Sequence, residues 1–296
     1  MTIAIAWLRK LKNTEELIVA SDSRLRWGLA WDSCPKIFNS QRDDTVFAFA
    51  GDTMYAYPLI LQALNHISLH RASRIRQLDI YDLKGHLKRV FNYMLSDLKD
   101  FPNKSTIFDS PETLFVMSGY SWRSRKFAIW KVRFDNNQKK FIWDIGRGLS
   151  AAGGENKLEV IAFPSMSDRV RRIKIKNNES IDFPRSQDIR IIALSRIAKL
   201  VKSRGGLAKR GLDMEPFEIL RDMLRENFSP HIGGAPQIMK IYSSCNTITL
   251  GVLWPNKKSN IVYLNGRKLL PYERHDCTVL DPDTLKYGLH LWPKKD

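Results

Sequence analysis

The first fifty residues show a pattern of apolar runs and polar turns that predicts several short strands. Residues 2–7 alternate between a face that begins at Thr2 and a face of larger apolar side chains. A polar turn leads to a second apolar run at 17–20, and two such runs joined by a polar turn predict a β-hairpin. Further apolar runs at 36–38 and 45–50 predict two more strands.

The rest of the chain moves between helical and extended periodicity. Apolar residues at helical spacing alternate with blocks of strand-like runs, and this order predicts an α+β sandwich with helices outside sheets. Predicted helices lie at 54–70, 81–99, 189–201 and 216–227, and predicted strands at 113–118, 126–134, 140–144, 237–242, 247–253 and 260–264.

The chain of 296 residues contains no internal repeat and no low-complexity linker. We therefore predict a single domain over 1–296, with an insertion at about 155–185 and a C-terminal extension at about 266–296. The 43% apolar residues suffice for a large core, and disorder is not indicated. Because no run approaches the roughly 20 apolar residues that span a bilayer, we expect a cytoplasmic protein without membrane contact.

Cysteine and histidine spacing gives little support for a metal site. The three cysteines lie far apart and form no CxxC pair, so neither a zinc site nor a disulfide framework is predicted. His66 and His70 are four residues apart on a predicted helix, and we interpret them as a surface or half-buried pair rather than metal ligands. The sequence indicates no cofactor.

The formal net charge of +17 predicts attraction to polyanions or acidic partners. Basic residues are spread along the chain, which favours a solvated basic surface over a dedicated nucleic-acid groove. The segment 169–176 alternates basic and apolar residues, as a charged edge strand does. Nucleic-acid binding by this segment is the alternative interpretation.

Four motifs near the start of the chain together resemble the N-terminal half of proteasome β-subunits and of the related bacterial ATP-dependent peptidase. They are T-I-A-I-A, L-I-V-A-S-D-S-R, K-I-F and F-A-F-A-G-D-T-M-Y-A, in this order. The resemblance covers 2–65 and recurs at 113–154 and 232–264. It implies the four-layer αββα fold of the N-terminal-nucleophile (Ntn) hydrolases, in which two antiparallel sheets are flanked by helices.

The same resemblance makes Thr2 the candidate nucleophile of a threonine-type peptidase or amidohydrolase. A threonine hydroxyl needs a nearby base, and the α-amine freed by removal of Met1, whose ordinary pKa is about 7.7 to 8.0, would serve. Lys36 would lower the pKa of this amine and stabilise the developing alkoxide, and Asp22 would hold Lys36 in place. The backbone N–H of Gly51 would supply the oxyanion hole.

Three positions depart from the family pattern. Ala152 stands where the family has a serine, and Ser229 and Ile232 stand where it has an aspartate and a second serine. Ser150 or Asp213 would be the residues to compensate. These departures support an alternative function, namely a catalytically inactive proteasome-like scaffold that binds a protein or nucleic-acid partner through its basic surface.

The expected partners follow from the resemblance as well. It implies a peptide or protein substrate, a homo-oligomeric ring and an ATPase as a candidate partner. A third use of the fold, with a cysteine nucleophile, would require internal cleavage before Cys34 and is disfavoured.

Overall fold

The computed structural model describes residues 2–27, 29–98, 111–145, 158–163, 188–206, 211–273 and 275–289. The strands in these ranges are β1 (Thr2–Lys10), β2 (Glu15–Ser21), β3 (Leu25–Trp27), β4 (Leu29–Trp31), β5 (Ile37–Asn39), β6 (Thr45–Gly51), β7 (Thr113–Ser121), β8 (Lys126–Asp135), β9 (Lys140–Ile145), β10 (Leu158–Phe163), β11 (Gln237–Tyr242), β12 (Asn246–Leu253), β13 (Val262–Leu264), β14 (Arg267–Lys268), β15 (Thr278–Leu280) and β16 (Tyr287–Leu289). The helices are α1 (Thr53–Leu69), α2 (Arg71–Arg74), α3 (Ile80–Ser96), α4 (Ile189–Ser203) and α5 (Glu215–Arg225), with a 3₁₀ turn at Lys257–Ser259.

The larger sheet contains β1 as an inner strand. Its order is β10-β1-β2-β11-β12-β13-β14, with β15 and β16 attached beside β12. All of its pairings are antiparallel except the short parallel pairing of β15 with β12. The register sets Ala4 opposite Ser21 on one side and Ile161 on the other. The strand that begins at Thr2 is therefore paired along both edges.

The second sheet is an antiparallel meander in the order β5-β6-β7-β8-β9. Its register sets Gly51 opposite Thr113 at the end of β6. The hairpin of β3 and β4 pairs only with itself in the described chain. The strand just after Lys36 is thus the first strand of this sheet.

The two faces of β1 pack against different partners. Ile3, Ile5 and Trp7 belong to a hydrophobic cluster that also contains the buried residues of α4 and α5. Ala4 and Ala6 belong to another cluster, shared with β5, β6, β7 and β8 of the second sheet. Burial of both faces explains why this strand is apolar from Ile3 to Leu8. The alternation predicted for residues 2–7 is confirmed.

The remaining face of the second sheet packs against α1 and α3. Phe49 and Phe115 of the sheet form a cluster with Ile60 of α1 and with Leu83 and Phe91 of α3. Each buried side chain of this size contributes roughly 1.5 to 3 kcal/mol relative to an exposed one. Helix packing therefore fixes the position of β6, which ends at Gly51.

Aspartate side chains begin three of the long helices. Asp52 accepts a hydrogen bond from the N–H of Met54, and Asp79 accepts one from Tyr81. Asp188 does the same at the start of α4. An N-cap carboxylate satisfies an otherwise unpaired N–H and contributes about 1 kcal/mol.

The described chain is a mixed α/β structure with antiparallel sheets, in agreement with the predicted α+β class. The predicted helices and strands are all present, with ends that differ by a few residues. The segment between the predicted strands 17–20 and 36–38 contains the β3–β4 hairpin. None of the helices in the described ranges is both long and apolar enough to cross a membrane.

Two segments that the sequence analysis set apart from the domain contribute strands to the larger sheet. Residues 158–163, assigned to an insertion, form β10 and pair with β1 from Thr2 to Trp7, so they belong to the larger sheet. The segment assigned to a C-terminal extension supplies β14, β15 and β16 to the same sheet. The described residues do not include the rest of the predicted insertion, which contains 169–176. They also do not include the glycine-rich stretch 146–154.

Candidate functional site

The carboxylate of Asp22 is the centre of the candidate site. It is fully buried and directly follows β2. Oδ1 accepts hydrogen bonds from the N–H of Ile3 at 3.0 Å and from Lys36 Nζ at 2.9 Å. Oδ2 accepts from the N–H groups of Arg24 at 3.2 Å and Gly233 at 3.1 Å. Four donors compensate a buried negative charge, and they come from four separate segments of the chain.

Lys36 lies immediately before β5, and its side chain is as buried as that of Asp22. Burial lowers the pKa of the Lys36 ammonium, while the charge of Asp22 and its hydrogen bond oppose this effect. The Lys36 carbonyl accepts from the N–H of Phe49 at 3.3 Å, which fixes it against β6. The predicted pairing of Asp22 with Lys36 is therefore present as a buried ion pair.

Gln237 is a further polar residue at the site that the sequence analysis did not single out. Its Nε2 donates to the carbonyl oxygens of Asp22 at 3.2 Å and Cys34 at 2.7 Å. Its Oε1 accepts from the N–H of Lys36 at 3.0 Å. One side chain at the start of β11 thus links the backbone on both sides of the ion pair. The available signal in the sequence was a polar amide at the start of a largely apolar strand.

Thr2 begins β1 and precedes Ile3, whose N–H binds Asp22. The side chain of Thr2 is completely buried. Its Oγ1 is one of the few buried side-chain oxygens without a hydrogen-bond partner in the described part of the structure. Neither Lys36 nor Asp22 donates to it or accepts from it in this geometry. The candidate nucleophile therefore lies at the expected strand end without an activating hydrogen bond.

Gly51 ends β6, directly before the N-cap of α1. Its φ is +115°, and a Cβ built on it would lie 2.1 Å from the carbonyl oxygen of Glu112. Glycine is required here because any side chain would strain the backbone and would collide with the backbone of Glu112. This requirement is structural and holds whether or not the Gly51 N–H contacts a substrate.

The late glycine pair approaches the site closely. Besides the bond from Gly233 to Asp22, the Gly233 carbonyl accepts from the N–H of Ser23 at 3.0 Å. Gly234 has φ +72°, and a Cβ on it would lie 2.2 Å from Ser23 Oγ. These contacts give the glycine pair a physical reason, because a side chain at Gly234 would collide with Ser23.

Two of the departures from the family pattern can be located. Ile232 is 1% exposed and packs in the cluster of α4 and α5, and only its backbone carbonyl binds Arg24, at 3.3 Å. The Ser229 hydroxyl accepts from the N–H of His231 at 3.3 Å within its own turn. Neither supplies a polar group to Thr2. Ala152 and Ser150 lie outside the described residues.

Asp213 does not compensate for these departures. Its carboxylate binds Arg9 Nε at 2.5 Å. Arg9 lies seven residues along β1 from Thr2, which in an extended strand is a distance of roughly 23 Å. This suggestion from the sequence was therefore wrong, because sequence alone did not show which end of β1 Asp213 approaches.

No ligand set for a metal was found in the described residues, where no three His, Cys, Asp or Glu side chains are arranged to hold an ion. The chemistry available at the site is that of a hydroxyl, an ammonium, a carboxylate and backbone N–H groups. No family model matches the chain, and no curated protein matches it. The function must therefore be argued from the site itself.

Proposed function

We propose that this chain is a proteasome-like N-terminal-nucleophile hydrolase that cleaves peptide or related amide bonds with Thr2. The fold we propose is the four-layer αββα sandwich. Its support is the order of the hydrophobic clusters, in which α1 and α3 pack on one sheet, the two sheets pack on each other, and α4 and α5 pack on the far side.

The observation that carries the proposal is the Asp22–Lys36 ion pair bound to the backbone N–H of the residue after Thr2. A buried hydroxyl without a partner costs about 1 to 3 kcal/mol, and Thr2 Oγ1 is such a group. A threonine nucleophile needs a nearby cation and a free hydroxyl, provided that its own amine is free. Lys36 supplies the buried cation near the start of β1, and Thr2 supplies the unpaired hydroxyl.

In the proposed reaction, cleavage of the peptide bond before Thr2 first frees its α-amine. Thr2 Oγ then attacks the substrate carbonyl carbon while its proton passes to the α-amine. The carbonyl oxygen becomes an oxyanion, which the Gly51 N–H would bind, and the Lys36 charge favours the deprotonated hydroxyl. The amine returns the proton to the leaving nitrogen as the amide bond breaks. Water hydrolyses the resulting ester and restores Thr2.

The assignments that go with this activity rest on the resemblance alone. They are a peptide or protein substrate, assembly into a homo-oligomeric ring and an ATPase partner. The positive net charge adds one expectation, because a basic chamber would favour acidic peptide segments.

The test is the intact mass of the purified protein before and after reaction with an epoxyketone or β-lactone probe. We expect a chain that begins at Thr2 and carries one probe adduct, with no adduct on the Thr2→Ala variant. Thr2→Ser is the matched variant that should retain labelling, because it keeps the hydroxyl. A free Thr2 amine with no adduct would refute the proposal.

A second candidate function is a non-catalytic scaffold of the same fold. The observation that favours it is Ile232, a buried apolar side chain where a supporting hydroxyl would be expected. The same labelling experiment separates the two functions, since a scaffold with a free Thr2 amine gives no adduct.

A further inference from the structure

Three of the chain's six histidines gather at the surface where α1 and α3 meet. The rings of His66 and His70, one turn apart at the end of α1, have centroids 5.0 Å apart. His86 of α3 stacks on both, at 4.2 Å from His66 and 5.7 Å from His70. The sequence predicted the first pair, and the third ring is contributed by the fold.

One arginine lies against these rings, and two more follow His70 directly in the chain. His86 Nδ1 lies 3.4 Å from Arg89 Nη2, and Arg71 and Arg74 are exposed on α2, which follows His70. We use the name histidine–arginine surface for the following six residues: His66, His70, Arg71, Arg74, His86 and Arg89.

The acidic residues of these helices are few. Neither α1 nor α2 contains an aspartate or glutamate, and Asp82, the only acid within α3, pairs with Arg123 at 2.7 Å. Within the described chain, the arginines of the histidine–arginine surface form no ion pair. The Ser73 hydroxyl also faces the rings, 2.8 Å from His70 Nδ1. The surface therefore attracts anions and contains nothing that repels them.

We propose that the histidine–arginine surface binds single-stranded nucleic acid. The guanidinium groups are the side chains best suited to phosphate oxygens. Tyr93 lies one turn beyond Arg89 on α3 and is 70% exposed, so its ring is available for base stacking. Hydrogen-bond donors for phosphate stand beside aromatic and imidazole rings on this surface. This combination fits a nucleic-acid strand better than an acidic peptide, because a peptide has no bases to stack on the rings. This proposal is independent of the hydrolase proposal.

Binding should be coupled to protonation of the histidines. Burial lowers the pKa of both His66 and His86, and the neighbouring histidines and, for His86, Arg89 lower it further. The negative charge of a bound phosphate opposes that effect and raises the pKa of His66 and of His86, so binding takes up protons. The affinity should therefore increase as the pH falls from about 8 to about 6.

The experiment is fluorescence anisotropy of a labelled oligothymidylate of about 20 nucleotides with the full chain, over a salt series at both pH values. The triple variant Arg71→Gln, Arg74→Gln, Arg89→Gln should reduce the slope of log K against log salt by about two, because each neutralised phosphate contributes roughly 0.7. The matched control removes three exposed lysines elsewhere: Lys199→Gln, Lys258→Gln, Lys268→Gln. It has the same net charge and should keep nearly the full slope.

Two further variants test the chemistry of recognition. Tyr93→Ala should weaken oligonucleotide binding about tenfold and leave competition by inorganic tripolyphosphate unchanged. Replacing the three histidines by asparagine should abolish most of the pH dependence. Equal slopes for the two triple variants, absence of oligonucleotide binding, or equally strong binding of polyglutamate would each overturn the proposal. Circular dichroism of each variant checks that it is folded.

Discussion

Removal of either partner of the Asp22–Lys36 ion pair should destabilise the protein, and removal of Asp22 should cost more. Both side chains are fully buried, and the Nζ–Oδ1 distance is 2.9 Å. The two substitutions differ in the hydrogen bonds that remain after each of them. The Asp22 carboxylate also accepts three backbone N–H groups, from Ile3, Arg24 and Gly233, which would remain in place if Lys36 were replaced.

The magnitudes follow from this difference. Lys36→Met leaves a buried carboxylate that keeps three donors, so its cost should be about 3 kcal/mol, at the low end for breaking a buried pair. Asp22→Ala removes the counter-charge of Lys36 and also the acceptor of three N–H groups, two of them buried and one part-buried, at about 1 kcal/mol each. Its total should be about 6 kcal/mol, a large part of the 5 to 15 kcal/mol typical of folded proteins.

The assay is urea unfolding followed by tryptophan fluorescence, for which the chain has eight tryptophans. The single variants and the double variant Asp22→Ala, Lys36→Met form a cycle, and the two changes should be less than additive by about 2 kcal/mol. The reasoning fails if Lys36→Met costs as much as Asp22→Ala, or if both cost less than about 1 kcal/mol.

Two more predictions concern other parts of the fold. Gly51→Ala should destabilise the protein by about 2 kcal/mol or more, because the new Cβ would collide with the Glu112 carbonyl. Gly85→Ala has nothing within 4 Å of the new Cβ and should stabilise α3 by roughly 0.5 to 1 kcal/mol, and both changes are measured by the same urea unfolding. The lowered pKa values of His66 and His86 mean that the unfolded chain binds more protons, so stability should fall as the pH drops below about 6.5; a double His→Asn variant that keeps the same acid-induced loss would contradict this.

Local pattern predicted the elements better than their arrangement. Residues 2–7 alternate strongly, and this was enough to identify a strand with two distinct faces. Residues 158–163 were not recognised as its neighbour, because the run is short and contains Glu159. That glutamate is buried, and its carboxylate lies 3.8 Å from the guanidinium of Arg190 on α4, so an ion pair across about 30 residues of chain helps to compensate its charge. An ion pair between residues so far apart cannot be predicted from the local pattern of apolar and polar residues.

The candidate site shows the same limit. Asp22 and Lys36 are close in sequence and were predicted as a pair. Gln237 and Gly233 join them from about 200 residues away, and only the pairing of β11 with β2 brings them there. The suggestion that Asp213 supports Thr2 failed for the corresponding reason, since a long-range contact decided which end of β1 it approaches.

The ion pair by itself does not distinguish a hydrolase from an inert relative, because it also joins four segments of the fold. The Thr2 hydroxyl does distinguish them, since in the described structure it adds no hydrogen bond and so no stability. Thr2→Val replaces the hydroxyl by a methyl group of similar size and keeps the β-branched shape that suits a strand. If Oγ1 is an unsatisfied buried group, this change should raise the free energy of unfolding by about 1 kcal/mol. The wild-type chain and the Thr2→Val variant are compared in the form that retains the residue before position 2, and intact mass verifies that form. Thr2→Val should therefore gain stability, and its processed form, which begins at position 2, should lose probe labelling. This is the trade-off between stability and activity that is expected at a catalytic residue. A loss of stability would mean that the hydroxyl has a structural role, and the main physical argument for Thr2 as a nucleophile would fall.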